Sequence, residues 1–501
     1  MALVGIQCGD AVIQDIKALI VVMGIFLVAR QYLRPLLAPL TGVAVFDGWV
    51  KTWVAITVVA FLVPNYWLAM ALIAAALVTL PAPGADARIA TYFGVMCAVP
   101  GLNGDVPFPG LNYLMELDYT RLLTLALLLP VGIRLFRSGG FRGKWEISDK
   151  AMALSVLLAV ALGVRDTTFT SALRDTVELL LSVTIPYFVL TRSIKTRQQF
   201  DACLALFLAG MVVIAGIAMF ETVRHWKVYE AVTELFRERS FRYENRGGFN
   251  RASATFGTPI ALGFALTLAL GVLMYLRQLL PRPRAGVVLL LVIGGGLFAS
   301  VSRGPWLGAA LLIGVFLFLG RGGLRKVVQL GFAGVLVLAL LAMTPFGKNV
   351  VELLPFIGDT RSDTVDYRVD LIKAARKTFS RNPWFGTTDP LRYPEMQAMI
   401  QGQGIIDLVN SYIQVGLYNG GVGLAIFLLS VAWPLRPIYR QLKGRSPLPL
   451  LPAEACKTLI ACQVGTLFII GTVSSVSFIP ALMWASTALC VAFLRSGGQW
   501  T

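Results

Sequence analysis

Residues 285–320 read AGVVLLLVIGGGLFASVSRGPWLGAALLIGVFLFLG. Two apolar runs, 285–301 and 305–320, flank the polar step Ser302-Arg303-Gly304. About 20 residues of helix cross about 30 Å of hydrocarbon, and fewer suffice where the bilayer adapts. Each run therefore reads as a membrane span, and the pair as a hairpin with almost no loop. The pattern continues in both directions, with apolar runs near 17–29, 51–63, 66–80, 88–100, 117–133, 150–163, 176–191, 201–222, 257–276, 327–343, 411–434, 457–474 and 479–494. Pro64-Asn65 leaves 51–63 and 66–80 as one kinked helix or a tight hairpin. The expectation is an all-α polytopic membrane protein with about 12 to 15 transmembrane helices.

Composition agrees with a bilayer as solvent. Of 501 residues, 56% are hydrophobic and 14% charged, with mean hydropathy +0.72; soluble chains carry about a quarter charged residues. The net charge of +17 would suggest nucleic acid in a soluble protein. Here the basic residues sit in short clusters between apolar runs, so the expected partner is the lipid bilayer and no nucleic acid. The six cysteines (Cys8, Cys97, Cys203, Cys456, Cys462, Cys490) form no C-x-x-C pair. His225 is the one histidine, which excludes a metal site built from histidines. There is no P-loop, so ATP hydrolysis is not expected, and neither a metal nor a cofactor is called for. The first apolar run follows Asp10, Asp15 and Lys17 rather than a basic start, and no A-x-A site follows it, so no cleavable signal peptide is expected.

Four basic clusters set the orientation: Arg134, Arg137, Arg142, Lys144 and Lys150; Arg277, Arg282 and Arg284; Arg321, Arg325 and Lys326; Arg436, Arg440, Lys443 and Arg445. An even number of runs separates each pair, so all four fit on the cytoplasmic side. The C-terminus is then cytoplasmic, and the N-terminal side depends on Pro64. Two long loops, about 223–256 and about 344–410, fall on the opposite face. Loops of that length are usually functional or disordered, and the second carries a helical pattern.

Four features on that face carry chemistry. Arg303, in Ser302-Arg303-Gly304-Pro305-Trp306, must lie near hydrocarbon or in a wet cavity, where an arginine is a site candidate. Its planar fork suits phosphate or carboxylate; with Trp306 it also suits an interfacial anchor. Arg251 enters a span at similar depth within Phe249-Asn250-Arg251-Ala252-Ser253-Ala254-Thr255-Phe256-Gly257-Thr258-Pro259, where snorkelling is the alternative. A loop helix is expected from about Thr364 to Ser380. At 100° per residue its Val365, Val369, Leu371, Ile372, Ala375 and Phe379 share one arc, and Arg368 and Arg376 fall inside it, where a charge needs a partner. Neighbouring acids or a bound anion could supply that partner. Arg361, Tyr367 and Arg392 add anion-binding capacity nearby. Finally, Asp407, Asn410 and Tyr412 stand at the entrance of a glycine-rich span, as polar site groups or as a helix cap. The acid–base candidates are carboxylates: Glu221, Glu230, Glu234, Glu244, Glu395, Asp407 and the acids of the loop helix.

In order, the motifs are R-A-S-A-T-F-G-T-P-I-A-L-G at 251–263, V-S-R-G-P-W-L-G at 301–308, D-Y-R at 366–368, N-P-W-F-G at 382–386 and N-S-Y at 410–412. Together they resemble the O-antigen ligase and polymerase superfamily over about 250 to 435. The likeness is strongest to its exopolysaccharide-polymerase-like members, with G-I-I-D-L-V-N-S-Y. The resemblance implies a GT-C-like membrane fold. It divides the chain into N-terminal transmembrane helices (1–200), a ligase/polymerase-like core (201–435) and C-terminal transmembrane helices (436–501).

The resemblance also implies a glycosyltransferase acting on a polyprenyl-diphosphate-linked glycan at the periplasmic face of a bacterial inner membrane, without nucleotide or metal. Other polysaccharide-assembly proteins are further candidate partners. By motif, the diphosphate-gripping arginines are Arg251, Arg303 and Arg368. Arg361, Arg376, Asn410 and Tyr412 are the expected substrate contacts. Ligases carry a histidine just before the asparagine of H-N-x-Y, and Val409 stands there in this chain. That departure moves the reading from ligation towards polymerisation of exopolysaccharide or O-antigen repeats, with Asp407 or Glu395 as base. A ligase remains the first alternative. A flippase of lipid-linked sugar is the second, although such proteins usually show mid-span charges and inverted repeats.

Overall fold

The computed structural model describes residues 2–497 apart from 111, 166, 233–242, 247, 345–346, 348–352, 354–361, 402–403 and 445–449. It is helical almost throughout; the described strands are two short antiparallel pairs, Gly104–Asp105 with Glu116–Leu117 and Asn245–Arg246 with Phe249–Asn250. Among the described residues eight helices are long and apolar enough to cross a membrane, and four shorter apolar helices accompany them. The protein is an all-α polytopic membrane protein.

The helix Arg197–Arg224 runs through the middle. Thr196 accepts a hydrogen bond from the Gln199 N–H, and the Gln199 side chain accepts one from the Thr196 N–H. This capping box fixes its start. Helices pack on it from several sides through small residues. A Cβ on Gly210 would lie 2.7 Å from the Gly94 carbonyl oxygen, and one on Gly296 would lie 2.7 Å from the Ala215 Cβ. Such contacts let apolar helices approach where lipid supplies no hydrophobic driving force between them. By contrast, Gly323–Ala342 exposes Val328, Phe332, Val335 and Leu336, as a lipid-facing helix does.

Two local readings are settled. Pro64 separates two helices, Val43–Leu62 and Tyr66–Thr79, which pack on each other; the Asn65 side chain caps the second through the Leu68 N–H at 3.0 Å. The run at 88–100 departs from expectation. Its helix is Ala85–Val95, 11 residues long, which at about 1.5 Å per residue does not reach across hydrocarbon. It is buried within the protein instead.

The basic end of the bundle is tied by ion pairs. Arg192 reaches Asp149 at 3.1 Å with both side chains sealed from solvent, and Arg495 meets the same carboxylate at 3.3 Å. Arg495 also donates to the Lys144 carbonyl, and Gln441 to the Gly497 carbonyl at 3.4 Å. The first and fourth basic clusters and the chain's last helix therefore meet at one end.

At the other end sits a small unit with its own core, built from Leu371, Ala374, Ala375, Met396, Leu408 and Leu417. Its main element is the loop helix Ser362–Phe379. The packed face overlaps the expected one only in part. Leu371 and Ala375 of the expected arc are buried, with Ala374 and Thr378 beside them, while Val369, Ile372, Arg368 and Arg376 are exposed. Turning the helix this way leaves both arginines in water, with no charge to desolvate.

This unit is spliced into the helix Ser411–Ala432, which breaks at Gly420 (φ 68°, ψ −171°). There the Gly421 N–H donates to the Pro383 carbonyl at 2.7 Å and the Val422 N–H to the Trp384 carbonyl at 3.1 Å. The Thr387 N–H returns to the Leu417 carbonyl at 3.0 Å. Arg165 clamps the same strip through the Phe385 and Gly386 carbonyls at 3.1 and 3.3 Å. Backbone groups freed by the break are thus satisfied by N-P-W-F-G.

Candidate functional site

The site is assembled where the loops opposite the basic end converge. The segment Arg251–Phe256 threads into the bundle, and Glu221 pins it. Glu221 is fully buried and accepts from the N–H groups of Val228, Ser253 and Ala254 at 3.1, 3.0 and 2.9 Å. Among the acid–base candidates it is therefore a structural pin, its acceptor capacity taken by backbone donors. Lys227, also fully buried, donates to Ser253 Oγ at 3.1 Å. Burial holds its ammonium below the usual lysine range, opposed mainly by Glu221.

Arg251 is 9% exposed. Its guanidinium pairs with Glu244 and donates to Ser302 Oγ at 3.1 Å, while its Nε has no partner. Ser302 Oγ passes its own proton to the Ser300 carbonyl at 2.9 Å. Arg303 follows at the first turn of its helix, with Nε donating to the Leu353 carbonyl at 2.8 Å. A Cβ on Gly304 would lie 2.8 Å from Thr472 Oγ1, so this helix start abuts the segment 471–478. The exposed Arg368 donates to the Thr472 carbonyl at 3.3 Å. Arg251, Arg303 and Arg368 are thus linked through Ser302 and Thr472.

A fourth guanidinium joins them. Arg246 is half-buried on the hairpin beside Glu244. Burial and then its neighbours Arg251 and Arg368 push it below the usual arginine range, against the pull of Glu244. Burial likewise lowers Arg251. These guanidinium groups disfavour one another around one half-exposed carboxylate.

Asp407 meets the same segment. Its Oδ1 accepts from Ser474 Oγ and, at 3.1 Å, from the Val409 N–H. Ser474 stands two residues from Thr472, which holds Arg368. Tyr367 on the loop helix donates to the Asp407 carbonyl at 2.9 Å; burial and then the Asp407 charge push its phenol above the ordinary value. Val409 adopts φ 38°, a strained conformation for a β-branched residue.

The other expected site residues are placed differently. Asn410 caps its helix, accepting from the Tyr412 and Ile413 N–H groups at 2.9 and 3.2 Å. Tyr412 braces the neighbouring helix through the Leu467 carbonyl at 2.6 Å. Glu395 is tied to Arg381 and Thr378 at the outer edge of the loop unit, at 3.1 and 3.2 Å. Arg376 is exposed on the loop helix. Arg361 and Glu234 lie outside the described residues. The site omits nothing that sequence reading named among the arginines of the motifs, but it adds Arg246 and Lys227. Their signal was weak: both sit in a mixed-charge loop with no periodicity.

Among the described residues no group of three or more His, Cys, Asp and Glu is placed to hold a metal ion. What the arrangement offers is fixed positive charge beside one carboxylate, at the end of an apolar bundle. Residues 285–428 match the family model described as O-antigen ligase. The match includes Arg303, Arg368 and Asp407 and stops short of Arg246 and Arg251. No curated protein matches the chain.

Proposed function

We propose, for a chain whose residues 285–428 match the O-antigen ligase family model, a glycosyltransferase that joins polyprenyl-diphosphate-linked repeat units. The observation that carries this reading is the gathering of Arg246, Arg251, Arg303 and Arg368 through Ser302 and the Thr472 carbonyl, with Asp407 bonded to Ser474 two residues on. In this reading an acceptor hydroxyl oxygen attacks the anomeric carbon. The bond from that carbon to the diphosphate oxygen breaks, and its electron pair leaves on the lipid diphosphate. Asp407 takes the hydroxyl proton. Fixed guanidinia aimed at the developing anion lower the barrier, the base must stand within hydrogen-bond reach, and a lipid-tethered donor is already restricted in orientation.

The basic loops then face the cytoplasm, the C-terminus is cytoplasmic, and the arginines face the periplasm of a bacterial inner membrane. Incubation of purified protein with a polyprenyl-diphosphate repeat unit, followed by glycan sizing, tests the reading. Longer glycans without any ion gradient support it and count against a transporter. Unchanged length and yield for folded Arg303→Ala or Arg368→Ala protein would sink the arginine mechanism.

A ligase is the second reading, favoured by the match of residues 285–428 to the O-antigen ligase family model. Val409 at the place of the ligase histidine weighs against it. A cell lacking the protein would, for a ligase, still make polymer but leave lipid A uncapped.

A further inference from the structure

A cavity of about 280 Å³ lies between the helices Ile147–Gly163, Phe169–Leu179, Ser411–Ala432 and Ile479–Arg495. Its lining changes character along the bundle. Towards the site end it presents Gln414, Tyr418, Asn419 and Ser475; towards the basic end it presents Met152, Phe427 and Trp484. No charged side chain lines it among the described residues. Among the described residues the carboxamides of Gln414 and Asn419 find no hydrogen-bond partner. A carboxamide at membrane depth is costly unless something satisfies it.

The cavity is connected to the arginine site through adjacent residues. Ser475, in its wall, donates to Ser411 Oγ at 2.8 Å. Ser474, the preceding residue, holds Asp407. A hydroxyl group at the polar mouth therefore lies near Asp407, two residues along the segment from the Thr472 carbonyl that Arg368 holds.

We propose that this cavity binds the attacking sugar of the acceptor repeat unit, seating its hydroxyls against Gln414, Asn419 and Ser475 and an apolar face of its ring against Phe427 and Trp484. The reading rests on glycosyl transfer at the neighbouring site. Neutral donors and acceptors over an apolar floor match an uncharged sugar ring. They do not match a diphosphate, which needs cations, so the acceptor's own diphosphate stays outside the cavity. Ligand pockets begin at about 300 Å³, so the space takes a single sugar rather than an oligosaccharide. The donor's diphosphate and the acceptor's sugar thus occupy separate sites of opposite electrostatic character, with Asp407 between them.

The test uses the full chain in lipid nanodiscs and three probes: farnesyl glucoside, farnesol and farnesyl diphosphate. The Trp484 contribution to fluorescence is taken as the difference from Trp484→Phe. Farnesyl glucoside should change it saturably, with binding weakened at least tenfold by Gln414→Leu with Asn419→Leu and left unaltered by Arg368→Ala. The milder Gln414→Met guards against misfolding, and farnesyl diphosphate binding serves as the folding control for each variant. No saturable response, equal binding of farnesol, or binding indifferent to both Gln414 variants overturns the proposal. In an elongation assay with a free oligosaccharide as acceptor beside the lipid-linked donor, the double variant should raise the KM for acceptor at least tenfold with the donor KM unchanged. A wild-type protein that binds farnesyl glucoside yet elongates nothing counts against glycosyl transfer and leaves the cavity assignment standing.

Discussion

A Cβ on Gly420 would stand 2.2 Å from the carbonyl oxygen of Trp384. The contact is backbone against backbone, so no side chain can move aside. It joins the loop unit that carries Arg368 and Asp407 to the helix that carries them into the membrane. The region φ 68°, ψ −171° is also essentially reserved for glycine. Gly420→Ala should cost about 1–3 kcal/mol from conformation alone and add the clash. The expected result is transfer reduced at least tenfold and faster tryptic cleavage near Arg381 and Arg392. Gly416→Ala, four residues earlier, meets nothing closer than 3.9 Å and should be neutral. Equal behaviour of the two variants would refute the splice as a coupling element.

Glu244 is the carboxylate that Arg251 and Arg246 share, and its side chain is 45% exposed while that of Arg251 is 11% exposed. It can therefore leave towards water when a stronger anion arrives. Glu244→Gln removes the competitor and keeps a similar shape. The donor KM should fall several-fold at low salt, and thermal stability should drop because guanidinia are left close together without a counter-charge. Titration of donor against rate, together with a melting curve, checks both. A raised donor KM would show that Glu244 helps to hold the donor rather than standing in for it.

Much of this was legible from charge and hydropathy, for a physical reason. Backbone groups in hydrocarbon must be satisfied within the helix, so spans betray themselves as apolar runs, and an arginine at their edge, such as Arg303, stands out. The Gly420 break was not legible, because glycine is common in membrane helices and the donors that repair it come from residues 383–387, far away in sequence. Arg246 was hidden for a similar reason: only the fold brings its loop beside Arg251 and Arg368. The loop helix was legible in Leu371 and Ala375 but not in Val369 and Ile372: turning Ala374 and Thr378 inward in their place leaves Arg368 and Arg376 wet.

Asp407→Asn isolates charge from shape. The amide oxygen still accepts from Ser474 Oγ and the Val409 N–H, so the turn should persist. A general base contributes about 10²–10⁴-fold, and kcat should fall in that range with the donor KM near wild type. Comparable loss in Glu395→Gln, whose carboxylate is tied to Arg381, would argue that both act through folding. A wild-type kcat in Asp407→Asn would remove Asp407 from the chemistry.

Val409 holds φ 38° while its N–H fixes Asp407 Oδ1 at 3.1 Å. A β-branched residue is strained there, and such strain costs on the order of 1–3 kcal/mol unless its surroundings compel it. Asparagine tolerates the left-handed region far better. Val409→Asn should therefore stabilise the protein by about 1 kcal/mol. Transfer should fall at the same time if strain aims the carboxylate, since relieving strain at a working site commonly trades activity for stability. The paired measurement is the unfolding midpoint and kcat on the same preparation. A lower midpoint would show that the half-buried valine is held for packing against the loop unit, and a raised midpoint with full activity would show that its strain does nothing for Asp407.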